Sequence, residues 1–302
     1  MEEKQYNAPQ FCEDIAEHLL KGEYIDYEQV ETYYFIDNNT LTDLAALAKR
    51  HPVEFHTLIQ HLMNIGSPVA FILTEVIFEE SISNVKNKHH FNALYKSFYN
   101  ELGAIAPVYI VTMQENFDQF EVLDGDFETM FPQDKYIDFA KHLNSNPGIS
   151  TLLNAATTIS DVDSAYRSVR EDAGERMAFL YIHAMLASRK KTVRFLSNED
   201  KGVYGKWCQV YSEDATLHSM VDIADEDEYI QLFRVESYHK VLYDYVSTLT
   251  EQDRKDFLSK ARQGDLLNYP VRYTEKTVIK YKGITNEKFN DIVMDGNSTI
   301  YH

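Results

Sequence analysis

Short apolar runs alternate along the chain with longer stretches in which apolar residues recur every three or four positions. The runs that we predict to form strands are TYYFI (32–36), SPVAFIL (67–73), PVYIVTM (107–113) and TVRFLS (192–197). Between the first two, Leu41, Leu44 and Leu47 follow the spacing of a helix, and Pro52 opens a further helical stretch. Strands that alternate with helices predict an α/β fold with helices on both faces of a parallel sheet.

The segments outside these runs give further predictions. Residues 9–21 repeat apolar positions every four residues and end before Gly22, which predicts a first helix. Residues 114–160 are acidic and aromatic, and we expect them to be mostly helical. The segment HSMVDIA (218–224) suggests a further strand, and residues 225–246 a helix with an acidic first turn.

The composition is ordinary for a soluble globular protein, with 302 residues, 44% hydrophobic and 25% charged. No apolar run approaches the ~20 residues of a membrane helix, and the acidic start does not resemble a secretory signal. Cys12 and Cys208 are far apart and offer neither a disulfide framework nor metal-ligand spacing. We therefore expect a cytoplasmic protein that has no membrane partner.

Several carboxylates follow the predicted strands. Asp37 ends the first run, Glu79 and Glu80 lie shortly after the second, Glu175 begins a helix, and Glu199 and Asp200 follow the fourth run. Strand carboxyl ends gather at one edge of a parallel sheet, where carboxylates would repel one another unless a divalent cation neutralised them. Oxygen ligands suit Mg²⁺ or Mn²⁺ better than zinc. Part of the net charge of −19 would then belong to a metal site.

Four motifs in this order resemble those of the PIN-domain ribonucleases. They are FIDNNTLTDL with Asp37, LTEVIFEE with Glu80, GERMAFLYIHAM with Glu175 and FLSNEDKG with Glu199. Glu79 is the near miss in the second motif, and a one-residue slip in the last would select Asp200. The resemblance implies a PIN-like α/β fold and hydrolysis of RNA phosphodiester bonds to leave 5′-phosphates. It also implies Mg²⁺ or Mn²⁺ held by these four carboxylates, with Asp200 as a possible further ligand.

The resemblance divides the chain into three parts. Residues 1–30 would form an N-terminal helical lead-in, and residues 31–235 the PIN-like nuclease domain, with a helical insertion at about 85–160. Residues 236–302 would form an extension of helices and strands.

Polar and basic residues near the carboxylates are candidate substrate contacts. Amides and hydroxyls that could hold a phosphate are Asn39, Ser197 and Asn198. The basic candidates are Arg189, Lys190, Lys191 and Arg194 before or within the fourth run, and Lys276, Lys280 and Lys282 near the end. Cations at a helix end and lysines on an edge strand also have structural roles, so both interpretations stay open.

Two other functions compete with the nuclease. FIDNNTL also resembles the nucleophile motif of haloacid dehalogenase-type phosphatases, but Asn39 stands where their second Asp serves as acid or base. A catalytically silent PIN-like module that binds RNA or protein is the third possibility. RNA is the expected partner and DNA an alternative, and a homodimer or an inhibitory protein would be compatible with the extra segments.

Overall fold

The computed structural model describes residues 2–66, 68–123, 132–189, 191–262, 269–273, 278–281, 284–295, 298–300 and 302. Its strands are β1 (Leu19–Lys21), β2 (Thr32–Ile36), β3 (Val69–Thr74), β4 (Val108–Val111), β5 (Thr192–Leu196), β6 (Phe233–Glu236), β7 (Tyr269–Tyr273), β8 (Val278–Tyr281) and β9 (Ser298–Ile300). The first six form one sheet in the order β1-β4-β3-β2-β5-β6, and every pair in it is parallel. The other three form a small antiparallel sheet.

Helices flank the six-stranded sheet. The α-helices among the described residues are α1 (Asn38–Arg50), α2 (Pro52–Gly66), α3 (Glu75–Ile82), α4 (Lys88–Phe91), α5 (Ser97–Gly103), α6 (Met113–Leu123), α7 (Pro132–Leu143), α8 (Pro147–Ala155), α9 (Ile159–Ser168), α10 (Ala173–Arg189), α11 (Ala215–Met220), α12 (Glu226–Leu232), α13 (Tyr238–Val246), α14 (Glu251–Ala261) and α15 (Asn286–Asp295). Every residue of β2, β3 and β4 is buried, as expected when helices cover both faces of a sheet. The α/β class with a parallel, helix-flanked sheet is thus confirmed.

The order of the strands creates a crossover in the middle of the sheet. From β2 the chain adds β3 and then β4 on one side, and afterwards returns to add β5 and β6 on the other. The carboxyl ends of β2 and β5 therefore lie side by side where the chain changes direction. In doubly wound sheets this position is where a crevice for ligands opens.

Two predictions in the second half of the chain are wrong. The segment 218–224 is not a strand: α11 occupies its first part, because the Asp214 carboxylate accepts from Thr216 N and Leu217 N and so starts a helix there. Residues 225–246 are not one helix, because β6 interrupts them and pairs with β5. A new helix begins only where Ser237 caps α13.

The first 30 residues also differ from the prediction of a single helix over 9–21. A 3₁₀ helix covers Gln10–His18, and the chain then extends into β1, which pairs with β4 at the edge of the sheet. Strand β4 itself lies inside the stretch 85–160 that was predicted to be an insertion. The proposed division into three parts remains a prediction.

The end of the chain packs beside the crossover. His302 is buried, and its Nε2 donates to the carbonyl oxygen of Ser197 at 2.8 Å. Its ring stacks on that of Tyr204, with 4.2 Å between the centroids.

In the described part of the chain, none of the helices combines the length and the apolar character needed to cross a membrane.

Candidate active site

Asp37 lies at the end of β2 and caps α1. Its Oδ1 accepts a hydrogen bond from Asn38 N at 2.7 Å, and its Oδ2 accepts one from the Ser197 hydroxyl, which follows β5, at 3.2 Å. The residue is only 3% exposed, and this burial raises the pKa of its carboxyl. The hydrogen bonds oppose that shift, whereas the charge of Glu199 adds to it. Asp37 is therefore a buried carboxylate at the crossover that is held in place by both central strands.

Glu80 approaches from α3. Its carboxylate accepts from the backbone N–H of Gly174, at the start of α10, and burial together with the charge of Asp37 raises its pKa. The contact is close, because a Cβ on Gly174 would stand 2.6 Å from Ile77 Cγ1 and 3.1 Å from Glu80 Oε2. Glycine at this position lets α10 begin directly against α3.

The choice between Glu79 and Glu80 follows from this packing. Glu79 is exposed, and its Oε2 accepts from Arg167 at 2.8 Å, so its side chain belongs to an ion-pair cluster on α9. Glu80 is the residue of the pair whose charge interacts with Asp37.

Glu175 lies in the first turn of α10 and has the most perturbed carboxyl of the group. Its pKa rises to about 8, chiefly because of burial and then because of the charges of Asp37, Asp172 and Glu199. Lys206 opposes the shift. Its Oε2 is buried and accepts no hydrogen bond from any residue that the structure describes. A buried carboxylate oxygen without a donor is costly, so this atom is suited to bind a ligand that the protein itself does not supply.

Glu199 faces Glu175 across Gly202. The Glu199 Oε1 accepts from Gly202 N at 3.0 Å, and its own backbone N–H donates to the Ser197 hydroxyl at 3.2 Å. A Cβ on Gly202 would lie 3.5 Å from both Glu175 Oε2 and Glu199 Oε1. The two oxygens are therefore separated by at most twice that distance. Asp200 is the next residue, at the start of a π-helical turn, and its side chain lies outside the described part.

Asp172 is a further carboxylate near the site, and it was not among the predicted site residues. Its charge raises the pKa of both Glu80 and Glu175, which places it beside the same group. Its backbone is in the left-handed region, with φ of 55°, a conformation that Asp tolerates better than most residues. In the sequence, Asp172 and Glu175 flank the two small residues of the segment DAGE (172–175). This spacing of two acids was the feature that could have indicated Asp172.

The side chains that could hold a divalent cation are all carboxylates. All four predicted ligands offer oxygen atoms, which suits Mg²⁺ or Mn²⁺ in chemistry and charge. The side chains are not gathered into a ready-made cage: among the described residues there is no group of three or more His, Cys, Asp or Glu close enough to hold a metal ion. The buried Glu175 Oε2 and the mutual repulsion of the carboxylates still fit a cation, which would draw the side chains together.

No family model, curated protein or solved structure matches this chain. The chemistry of the site must therefore be inferred from its own residues.

The three predicted polar contacts have different surroundings. Asn39 is exposed in the first turn of α1, next to the carboxylates. Ser197 is buried and orients Asp37 and Glu199, so it supports the site from behind. Asn198 donates to Asp43 Oδ2 at 2.7 Å and accepts from Tyr238 N at 2.9 Å, which ties α1 to α13.

Of the predicted basic contacts, Lys191 and Arg194 are the two whose side chains the structure describes, and both are paired with carboxylates outside the predicted metal site. Helix α10 begins at the site, and its 17 residues extend about 25 Å. It therefore ends near the amino ends of the strands, on the side of the sheet away from the carboxylates. There Lys191 binds Glu31 just before β2. Arg194 lies in the middle of β5, and its guanidinium is 3.6 Å from the carboxylate of Glu236, the last residue of β6. The backbones of Arg189 and Lys280 are described without their side chains, and Lys190, Lys276 and Lys282 lie outside the described residues.

Proposed function

We propose that this protein is a divalent-metal-dependent nuclease that hydrolyses phosphodiester bonds in RNA. The observation that carries the proposal is that Asp37, Glu80, Glu175 and Glu199 lie around the crossover of the sheet closely enough for their charges to interact. They come from four separate parts of the chain, and each interacts electrostatically with at least one of the others. The four motifs that resemble PIN-domain ribonucleases support the same function, as does the α/β sheet.

The chain's own residues orient these carboxylates without using all of their lone pairs. Ser197 and the N–H groups of Gly174 and Gly202 each donate to one carboxylate and leave its other lone pairs available. Asp37, Glu80, Glu175 and Glu199 would hold Mg²⁺ or Mn²⁺. When bound, such an ion polarises a phosphoryl oxygen and lowers the pKa of an attacking water.

Glu175 also has a proton to release. With its pKa at about 8, it is largely protonated at neutral pH in the free protein. Binding of a cation favours the charged form, so metal uptake should release protons and strengthen as the pH rises.

The test is cleavage of end-labelled RNA and DNA oligonucleotides with Mn²⁺, with Mg²⁺ or with EDTA. The variant is Asp37→Asn, and exposed Asp118→Asn on α6 serves as the matched control. We expect metal-dependent RNA cuts with 5′-phosphate ends that are lost in Asp37→Asn and retained in the control. Cleavage of DNA alone would change the substrate class. Hydrolysis of a phosphate monoester without any oligonucleotide cleavage would favour the phosphatase.

One observation favours a second candidate, a binding module without catalysis. The Lys206 ammonium attracts the charge of Glu175, so part of the repulsion between the carboxylates is relieved by the protein itself. In such a module the protein would bind RNA equally well with and without metal, and neither oligonucleotide would be cut.

A further inference from the structure

A cavity of about 450 Å³ opens beside the carboxylates, between α3 and the segment that joins α9 to α10. Helix α3 contributes Val76, Glu79 and Glu80 to its wall, and the facing side carries Arg167, Arg170 and Ala173. Its size lies within the range of roughly 300–1,000 Å³ that small-molecule sites occupy. Because Glu80 belongs both to this wall and to the proposed metal site, a group that fills the cavity lies next to any phosphate bound at the carboxylates.

The two arginines on the wall are in different electrostatic situations. Arg167 binds Glu75 at 2.7 Å, Glu79 at 2.8 Å and Asp163 at 3.0 Å, so three carboxylates already offset its charge. Arg170 is exposed, and its side chain makes no hydrogen bond or ion pair with any residue that the structure describes. Of the two, Arg170 is therefore the one whose charge is available to an anion.

The rest of the wall determines how an anionic group can be oriented in the cavity. Glu79 and Glu80 stand on α3, so an anion is favoured at Arg170 on the facing side and disfavoured against that helix. Val76 and Ala173 provide an apolar part of the wall that can pack against a ring. The cavity thus offers one cationic contact and one apolar contact, which is what a nucleotide with its phosphate and base requires.

We infer that the cavity holds one nucleotide of the RNA strand, adjacent to the phosphate bound at the carboxylates. Arg170 binds the phosphate of this nucleotide, because the planar guanidinium fork can donate two parallel hydrogen bonds to it. The base packs against Val76 and Ala173. Neither contact reads a base edge, so the cavity positions the strand without selecting a sequence. The inference rests on the proposed function, since the strand at the carboxylates supplies the nucleotide.

The first experiment measures binding of a fluorescently labelled oligoribonucleotide to the full chain at several salt concentrations. EDTA is present throughout, so that metal-dependent cleavage cannot occur. Arg170→Gln should raise the Kd about tenfold, the loss expected for one charge-assisted hydrogen bond. It should also reduce the slope of log K against log salt by about 0.7, because one phosphate contact is lost.

Lys49→Gln is the matched control for this experiment. Lys49 is exposed, does not line the cavity, and lies twelve residues along α1 from Asp37, or about 18 Å. Its replacement removes the same charge from the protein and should change neither the Kd nor the salt slope. Absence of saturable binding, an unchanged Kd in Arg170→Gln, or equal weakening by both substitutions would overturn the inference.

A second experiment tests the contact with the base. Adenosine 5′-monophosphate and ribose 5-phosphate carry the same phosphate on the same sugar, and only the first has a base. The nucleotide should displace the labelled strand at a concentration about fivefold lower, because its base covers apolar surface in the cavity. Equal competition by the two compounds would overturn the assignment of a nucleotide.

These results can be separated from those of the cleavage test. If the wild type cuts RNA but Arg170→Gln binds the strand as tightly as the wild type, the nuclease stands and the nucleotide site fails. If no RNA is cut although Arg170→Gln weakens binding and Lys49→Gln does not, the nucleotide site stands and the nuclease fails.

Discussion

Replacement of Glu175 by Gln should stabilise the protein at high pH. The carboxyl has a pKa of about 8 in the folded chain against an ordinary value of 4.5. Between these values the folded state binds the proton more tightly than the unfolded state, so stability falls as the pH rises through this window. Above pH 8 the loss is complete and amounts to at most about 5 kcal/mol. Gln resembles the protonated carboxyl and has no charge to lose.

The measurement is urea unfolding of wild type and Glu175→Gln in EDTA at pH 5 and pH 9. At pH 9 we expect the variant to be more stable by about 2–5 kcal/mol, a range that allows for partial solvent access. At pH 5 the difference should shrink to about 1 kcal/mol or less, because the folded wild type is then protonated. The same substitution should reduce any metal-dependent cleavage.

Glu171→Gln provides the control, because Glu171 is an exposed acid just before the same helix. Its removal should change stability by no more than about 0.5 kcal/mol at either pH. If Glu175→Gln were no more stable than wild type at pH 9, or if Glu171→Gln gave the same gain, the burial and repulsion assigned to Glu175 would be refuted. A gain would mean that the fold keeps a destabilising charge there, as functional sites commonly do.

Three further substitutions test the supports of the site. Gly174→Ala puts a Cβ 2.6 Å from Ile77 Cγ1, so the free energy of unfolding in urea should fall by about 1–3 kcal/mol and cleavage should be reduced. Unchanged stability and unchanged cleavage would contradict this packing. Ser197→Ala removes a hydrogen bond that lowers the pKa of Asp37, so the acid limb of the pH–rate profile should move to higher pH. An unchanged acid limb would contradict this role of Ser197. His302→Ala loses the bond to Ser197 O and should lower stability by about 1 kcal/mol in urea, whereas no loss would exclude that contact as a support.

The sequence predicted the central part of the sheet because its signals there are local. Strands β2, β3 and β5 are short apolar runs, and an acidic residue follows each run directly or lies in the helix after it. Because the strands are parallel, these acids come to the same end of the sheet. The pattern around β6 was ambiguous. Phe233 and Val235 are buried on alternate positions of a strand, but the neighbouring apolar residues also fit helical spacing over 225–246. Pairing with β5 makes this segment a strand and not part of a helix, and that pairing cannot be predicted from the local sequence pattern.

The position of Lys191 relative to the carboxylates could not be predicted from its place in the sequence. Lys191 comes only a few residues before the acid at Glu199, but β5 separates the two, and they lie at opposite edges of the sheet. The cavity that α1, α13 and α14 enclose was missed for the related reason that its lining residues Arg50, His239 and Arg262 are remote in sequence. Only the packing of α13 and α14 against the first helices brings them together.

The most direct test of the carboxylate site is calorimetric titration of the metal-free protein with Mn²⁺ at pH 8, since it needs no knowledge of the substrate. We predict saturable binding of one or two ions per chain that is weakened at least tenfold by Asp37→Asn and by Glu175→Gln, with Glu171→Gln unchanged. Absence of Mn²⁺ binding to the wild type, or equal binding by Asp37→Asn, would contradict a metal site at the crossover and with it the proposed nuclease.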